Sequence, residues 1–315
     1  MLAKARLAPP LLGDNIGAVH DFLWTQLNPD GGFKSQSGPS DLYDTVFGIE
    51  ALLALGAEVP LTSLARFILP LGDGGQLDFV HLACLARAWS LLPADKFAPE
   101  LRENITERIL IHRTLDGGFS AAPHIPRQSG TVYGCYLALQ ALGDLGVILP
   151  GHLWNAGALT TFIENLILPA GGFANEQSLP LATTATTASA VAILHETQGS
   201  GGEEEVGWDT QAIADSSRKW LWARIHPNGG LRATPQAPMP DLISTAVGLH
   251  ALWLLDPNRA TRPLAWPPAF RERTLDFLDS LWSNQGAFHG NWTADAPSCE
   301  HVYYALLALG HLADT

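Results

Sequence analysis

Apolar residues recur at helical spacing along most of the chain, and glycine pairs break the pattern at intervals. The stretch "DLYDTVFGIEALLALG" from Asp41 puts Val46, Ile49, Leu52 and Leu53 on one stripe. A second helix-period segment, "DNIGAVHDFLWTQL", precedes it, and Gly31-Gly32-Phe33 lies between the two. Comparable signals stand at Gly74-Gly75, Gly117-Gly118-Phe119, Gly171-Gly172-Phe173 and Gly229-Gly230-Leu231, with a degenerate copy at Gly286-Ala287-Phe288. Recurrence every ~40 to 60 residues marks a repeat architecture, here one of helical hairpins. The pattern predicts helix pairs at 14–27 with 40–56, 58–70 with 77–93, and 97–113 with 129–146. The remaining pairs fall at 152–168 with 180–198, 208–225 with 240–256, and 268–283 with 297–313. Strand signals are nearly absent.

Each glycine is expected to close the first helix of its hairpin in a left-handed conformation. Asp41, Thr131, Thr184, Asp241 and Ser298 are placed to cap the second helices. The second helices are rich in Ala and Leu, as in "CYLALQALG" and "YYALLALG", whereas the first carry the charges, as in "PELRENITERILIHR". That asymmetry predicts apolar helices inside and amphipathic helices facing water. The expected fold is all-α: a single domain over 1–315, an α/α toroid of six hairpins with inner and outer helix rings.

Composition narrows the function classes. The chain has 315 residues, 47% of them hydrophobic, and a formal net charge of −13. Without clustered Lys and Arg, neither nucleic acid nor an anionic membrane surface is expected as the main partner. No apolar run approaches the ~20 residues of a membrane span. "MLAKARLAPPLLGD" is too short and too broken by Pro9-Pro10 to read as a signal peptide. Cys84, Cys135 and Cys299 stand in scattered contexts, which suggests reduced thiols and a cytoplasmic location.

The segment "GGFKSQSGPSDLYDTVFGIEALLAL" and its repeats, from Asp14 to Leu312, resemble those of protein prenyltransferase β-subunits and squalene–hopene cyclases, the latter class II terpene cyclases. The resemblance implies an apolar central cavity that handles isoprenoid chains. The cyclase motif Asp-x-Asp-Asp-Thr, laid on residues 41–45, matches Asp41, Asp44 and Thr45 and puts Tyr43 where the family carries its proton-donating Asp. The prenyltransferase zinc ligands map less completely. "TVYGCY" supplies Cys135, but Tyr133 occupies the Asp position, and His301 of "CEHVYYALLALG" lies three hairpins on. No cofactor and no metal ligand set is expected, zinc or magnesium being the disfavoured alternative.

Asp78, His81 and Cys84 share one helix face, and an acid oriented by a histidine can donate a proton from a dry site. The catalytic candidates are therefore Asp44 or Asp78, assisted by His81, with Glu300 and His301 a second acid–base pair. Tyr43, Phe47, Tyr133 and Tyr303 offer ring faces to a carbocation. Cys135, Thr184, Thr245 and His301 are candidate polar contacts to substrate. Lys34, Arg127 and Arg232 lie in loops near the second-helix N-termini, where an anion is favoured. These residues suggest a terpene-cyclase-like enzyme that binds a small isoprenoid or polyene and performs an acid-initiated cyclisation or isomerisation. A zinc-dependent prenyltransferase β-subunit-like protein and a non-catalytic lipid-binding toroid are the alternatives.

Overall fold

In a computed structural model describing residues 1–36, 38–93, 98–121, 129–147, 156–199, 210–258, 265–294 and 296–313, each expected hairpin is a helix pair. The six pairs are α3 (Ile16–Thr25) with α4 (Leu42–Ala54), α5 (Leu61–Ile68) with α6 (Phe79–Ser90), α7 (Pro99–Leu110) with α8 (Val132–Asp144), α9 (Ala156–Glu164) with α10 (Thr184–Gly199), α11 (Thr210–Trp222) with α12 (Leu242–Leu254), and α13 (Pro268–Ser280) with α14 (Cys299–Ala313). Two short helices the periodicity does not reveal, α1 (Leu2–Ala5) and α2 (Pro9–Leu12), come first. Pro9-Pro10 does not break structure here but opens α2, since a helix's first N–H groups need no partner.

The chain forms two compact units, Met1–Pro60 with Ser217–Thr315, and Leu61–Ser216. In the first, α14 packs between α4 and α12; in the second, α8 packs between α6 and α10. The first helices lie against these second helices, α3 on α4, α13 on α14, α5 on α6 and α9 on α10. Burial follows the apolar pattern: α12 buries Leu242, Ala246, Leu249 and Leu252, and α14 buries Val302, Leu306 and Leu309. No helix among the described residues is long and apolar enough to cross a membrane.

Three small antiparallel ladders close hairpin turns: β1 (Phe33–Lys34) with β2 (Ser40–Asp41), β3 (Ala174–Glu176) with β4 (Leu179–Ala182), and β5 (Trp282–Ser283) with β6 (Ala287–Phe288). Strands of two to four residues are too short for alternation to show in sequence. Because β4 takes Leu179–Ala182, the helix expected from 180 begins at Thr184. Its cap is Thr183, whose Oγ1 accepts the Thr186 N–H at 3.0 Å, rather than Thr184, which is fully buried.

The glycines act after the helix ends, not as its caps. The helices α3, α7 and α13 finish on right-handed residues, Gln26, Ile111 and Leu281. Gly229 (φ 86°) and Gly286 (φ 84°) instead turn the chain where it touches a neighbouring hairpin. A Cβ there would sit 1.9 Å from the Arg273 carbonyl oxygen and 2.2 Å from that of Ala18, respectively. Only glycine meets both the positive φ and the close approach.

The turn is then pinned to the second helix. The N–H that follows the glycine pair reaches a hydroxyl or thiol one turn into that helix. Phe33 donates to Thr45 Oγ1 (2.8 Å), Phe119 to Cys135 Sγ (3.2 Å), Phe173 to Thr187 Oγ1 (3.1 Å) and Leu231 to Thr245 Oγ1 (2.9 Å). Thr45 and Thr245 pass the bond on to the carbonyls of Asp41 and Asp241, at 2.5 and 2.7 Å. Those two aspartates also cap the helix: Asp41 accepts from the N–H groups of Tyr43 and Asp44, Asp241 from that of Ser244.

Thr245→Val keeps the side-chain shape but strands the buried Leu231 N–H. The change should lower the unfolding free energy by about 1–3 kcal/mol, with Thr245→Ser much milder. Urea denaturation of the two variants is the check, and equal midpoints contradict the role given to this hydroxyl.

Candidate functional site

Within Asp41-Leu-Tyr-Asp-Thr45 the first and last residues serve the backbone, as cap and as anchor of the turn. Leu42 is buried in the core, so Tyr43 and Asp44, both half-buried, remain to carry chemistry. Asp44 lies on the first turn of α4, where its carboxyl is raised from 3.8 to about 6. Burial is the main cause, followed by the negative charges of Asp41 and Glu300.

Glu300 arrives from the first turn of α14, the helix packed beside α4. The Tyr43 hydroxyl donates to Glu300 Oε1 at 2.6 Å. Burial raises the Glu300 carboxyl, and this hydrogen bond offsets the rise in part. Tyr43 thus steadies one carboxylate whose charge helps Asp44 keep its proton. Cys299, the first residue of α14, is buried, and its thiol is pushed up by burial and by Asp44, against a lowering contribution from Lys34.

Aromatic rings continue from the acid along both helices. Phe47 stands one turn beyond Tyr43, with ring centroids 4.8 Å apart, and lies 5.5 Å from both Tyr303 and Tyr304. Tyr303 is buried, whereas Tyr43, Phe47 and Tyr304 are half-exposed. His301 is half-buried, with its ring against the Gly290 backbone. Its proton affinity is lowered by burial and by His289, and its Nδ1 has no hydrogen-bond partner among the described residues.

The other candidates have settings of their own. Asp78 caps α6 and meets His81 twice, accepting its backbone N–H at 2.9 Å and lying 2.8 Å from its ring Nδ1. Burial pushes the Asp78 carboxyl up, but the bonds to His81 outweigh it and hold the group below the ordinary range. Asp78 is therefore suited to stay ionised, and its carboxylate is largely exposed. Tyr133 is exposed, its backbone N–H bonded to Asn175 Oδ1 at 3.0 Å. Cys135, Thr184 and Thr245 are fully buried framework residues. Burial pushes the Cys135 thiol up to about 12, and its Sγ accepts the Phe119 N–H. No group of three or more His, Cys, Asp or Glu side chains among the described residues is arranged to hold a metal ion. Lys34 lies in β1 and Arg232 directly after Leu231, while Arg127 lies outside the described residues. The pairing of Tyr43 with Glu300 escapes sequence reading because it joins the first hairpin to the last; a cap followed two residues on by Tyr or Glu is its sole trace.

Comparison with known proteins agrees with this architecture. A family model described as a prenyltransferase alpha-alpha toroid domain matches residues 14–156, 129–215 and 204–315. No curated protein matches. Among solved structures, a type II terpene cyclase from Scytonema in complex with geranylgeranyl dihydroxybenzoate is similar at 14% identity, covering 98% of this chain and 97% of that one, with a TM-score of 0.60. Candida albicans protein geranylgeranyltransferase-I complexed with GGPP is similar at 15% identity, covering 92% and 89%, with a TM-score of 0.63. An α-1,6-mannanase from a Salegentibacter species is similar at 13% identity, covering 95% and 98%, with a TM-score of 0.62. At such identities the structures share a fold, which hosts several chemistries. Matched over nearly its whole length, the chain belongs to the prenyltransferase alpha-alpha toroid family.

Proposed function

We propose that the protein is a terpene-cyclase-like enzyme that protonates an isoprenoid or polyene chain, with Asp44 as the acid. The observation that carries this reading is the carboxyl at Asp44, raised to about 6 inside a group of three acids. A phenol with a pKa of ~10 is too weak an acid to replace the missing carboxyl, so Tyr43 is assigned a different task. It holds Glu300, which occupies the matching position at the start of the neighbouring helix, two residues after Ser298 as Tyr43 is two after Asp41. Asp44 passes its proton to one alkene carbon, a C–H bond forms, and the positive charge appears on the more substituted carbon. Either a neighbouring proton leaves this cation, or a further double bond attacks it and the new cation then loses a neighbouring proton. One proton is taken up and one released, so the acid is restored and the net change is an isomerisation. The rings of Tyr43, Phe47 and Tyr304 can stabilise the cation as it moves away. The isoprenoids held by the similar terpene cyclase and geranylgeranyltransferase support this substrate class.

Turnover of squalene and geranylgeranyl diphosphate, followed by mass spectrometry of products, is the test. Asp44→Asn should lose about 10²–10⁴ in rate. The rate should also fall as pH rises through about 6, where Asp44 ionises. Glu300→Gln removes a negative neighbour, so it should shift that limb to lower pH. Undiminished product from Asp44→Asn removes the assignment, and a co-purified lipid with no turnover at all favours a binding protein.

The same carboxyl makes a stability prediction. Between the ordinary 3.8 and about 6 the folded state keeps a proton that the unfolded chain releases. Stability from this group is thus full at low pH and lost as pH rises through that window. The wild type should show this falling component in pH-dependent unfolding, and Asp44→Asn should lack it.

A further inference from the structure

In five hairpins the turn sets two side chains directly opposite each other. Lys34 N–H donates to Gln26 O (2.8 Å), Ser120 to His112 (3.0 Å), Ala174 to Leu166 (3.0 Å), Arg232 to Arg224 (3.0 Å) and His289 to Leu281 (2.9 Å). In the first, third, fourth and fifth hairpins an antiparallel bridge one residue further in, such as Ile225 with Leu231, makes these pairs cross-strand neighbours. The pairs read Gln–Lys, His–Ser, Leu–Ala, Arg–Arg and Leu–His. Hairpin five alone among them opposes two fixed like charges, an arrangement that destabilises a ladder.

Arg224 aggravates the cost. It is 8% exposed, and its Nε and Nη1 are covered with no hydrogen-bond partner among the described residues. Its guanidinium carbon lies 4.5 Å from the centre of the Trp220 ring, which holds the side chain in place. Burial lowers its proton affinity, and the charge of Arg232 lowers it further. A buried cation with no counter-charge beside it among the described residues is among the costlier features a fold can carry.

We infer that Arg224 and Arg232 form a binding site for an oxyanion, a phosphate or carboxylate group. Two planar guanidinium forks suit such a group, and its charge would relieve both the repulsion and the burial. The site stands on hairpin five alone and does not depend on the acid at Asp44.

Calorimetric titration at low ionic strength tests it with pyrophosphate, inorganic phosphate and citrate. Wild type should bind with a saturable heat, and Arg224→Gln and Arg232→Gln should each weaken binding at least tenfold. Arg224→Lys, which keeps charge but loses the fork, should recover binding in part. Tighter pyrophosphate assigns the site to phosphates, and tighter citrate to carboxylates. Asp44→Asn should bind as wild type does, whatever its turnover. The more exposed Arg232→Gln provides the reading if Arg224→Gln does not fold. No saturable heat in wild type, or binding as tight as wild type by both glutamine variants, overturns the assignment.

Discussion

Four glycine turns end on one and the same bond, a backbone N–H given to a hydroxyl or thiol carried a turn into the next helix, as Phe33 gives to Thr45 and Leu231 to Thr245. An N–H buried at such a turn must find an acceptor, and this acceptor fixes where the second helix starts relative to the first. The cap four residues earlier is fixed with it, since Thr45 bonds to the carbonyl of Asp41. The second and third positions after the cap differ from one hairpin to the next. They read Tyr43 and Asp44, Val80 and His81, Tyr133 and Gly134, Ala185 and Thr186, Ile243 and Ser244, Glu300 and His301. Chemistry can vary there while the turn stays constant.

The acid pair follows from that variation. Asp44 and Glu300 occupy such positions on adjacent helices, so two carboxyls meet in a half-buried place. Proximity and desolvation together keep a proton on Asp44 above the ordinary carboxylate range. The Arg224–Arg232 pair departs from the repeat in the opposite sense, concentrating positive charge where other hairpins place neutral or single-charge pairs. Local rules broken at positions where sister repeats obey them are where function is expected.

The six hairpins could be read from sequence because helical periodicity and glycine spacing survive in every repeat. Features depending on two or three residues could not. The ladder β3–β4 moved the start of α10 past Pro180, and the cap fell to Thr183 instead of Thr184. Thr245 and Cys135 invite a ligand reading from their motif position, yet their polar atoms face the turn N–H. The candidate acid was legible as a residue but not in its setting. Asp44 is visible in the motif, whereas the partner that shapes it reaches α4 through the hydroxyl of Tyr43. Arg224 was missed because no motif names it, and its signal appears only when the turns are aligned on their hydrogen bonds.

Whether a proton from this site enters the substrate is the point on which the functional account turns. Running the reaction in deuterated water with squalene or a geranylgeranyl chain, and weighing the product, measures it directly. The account requires one deuteron bound to carbon in each product molecule, at the alkene where the cascade begins. Product of unchanged mass, or a chain returned unaltered under every condition, would contradict it.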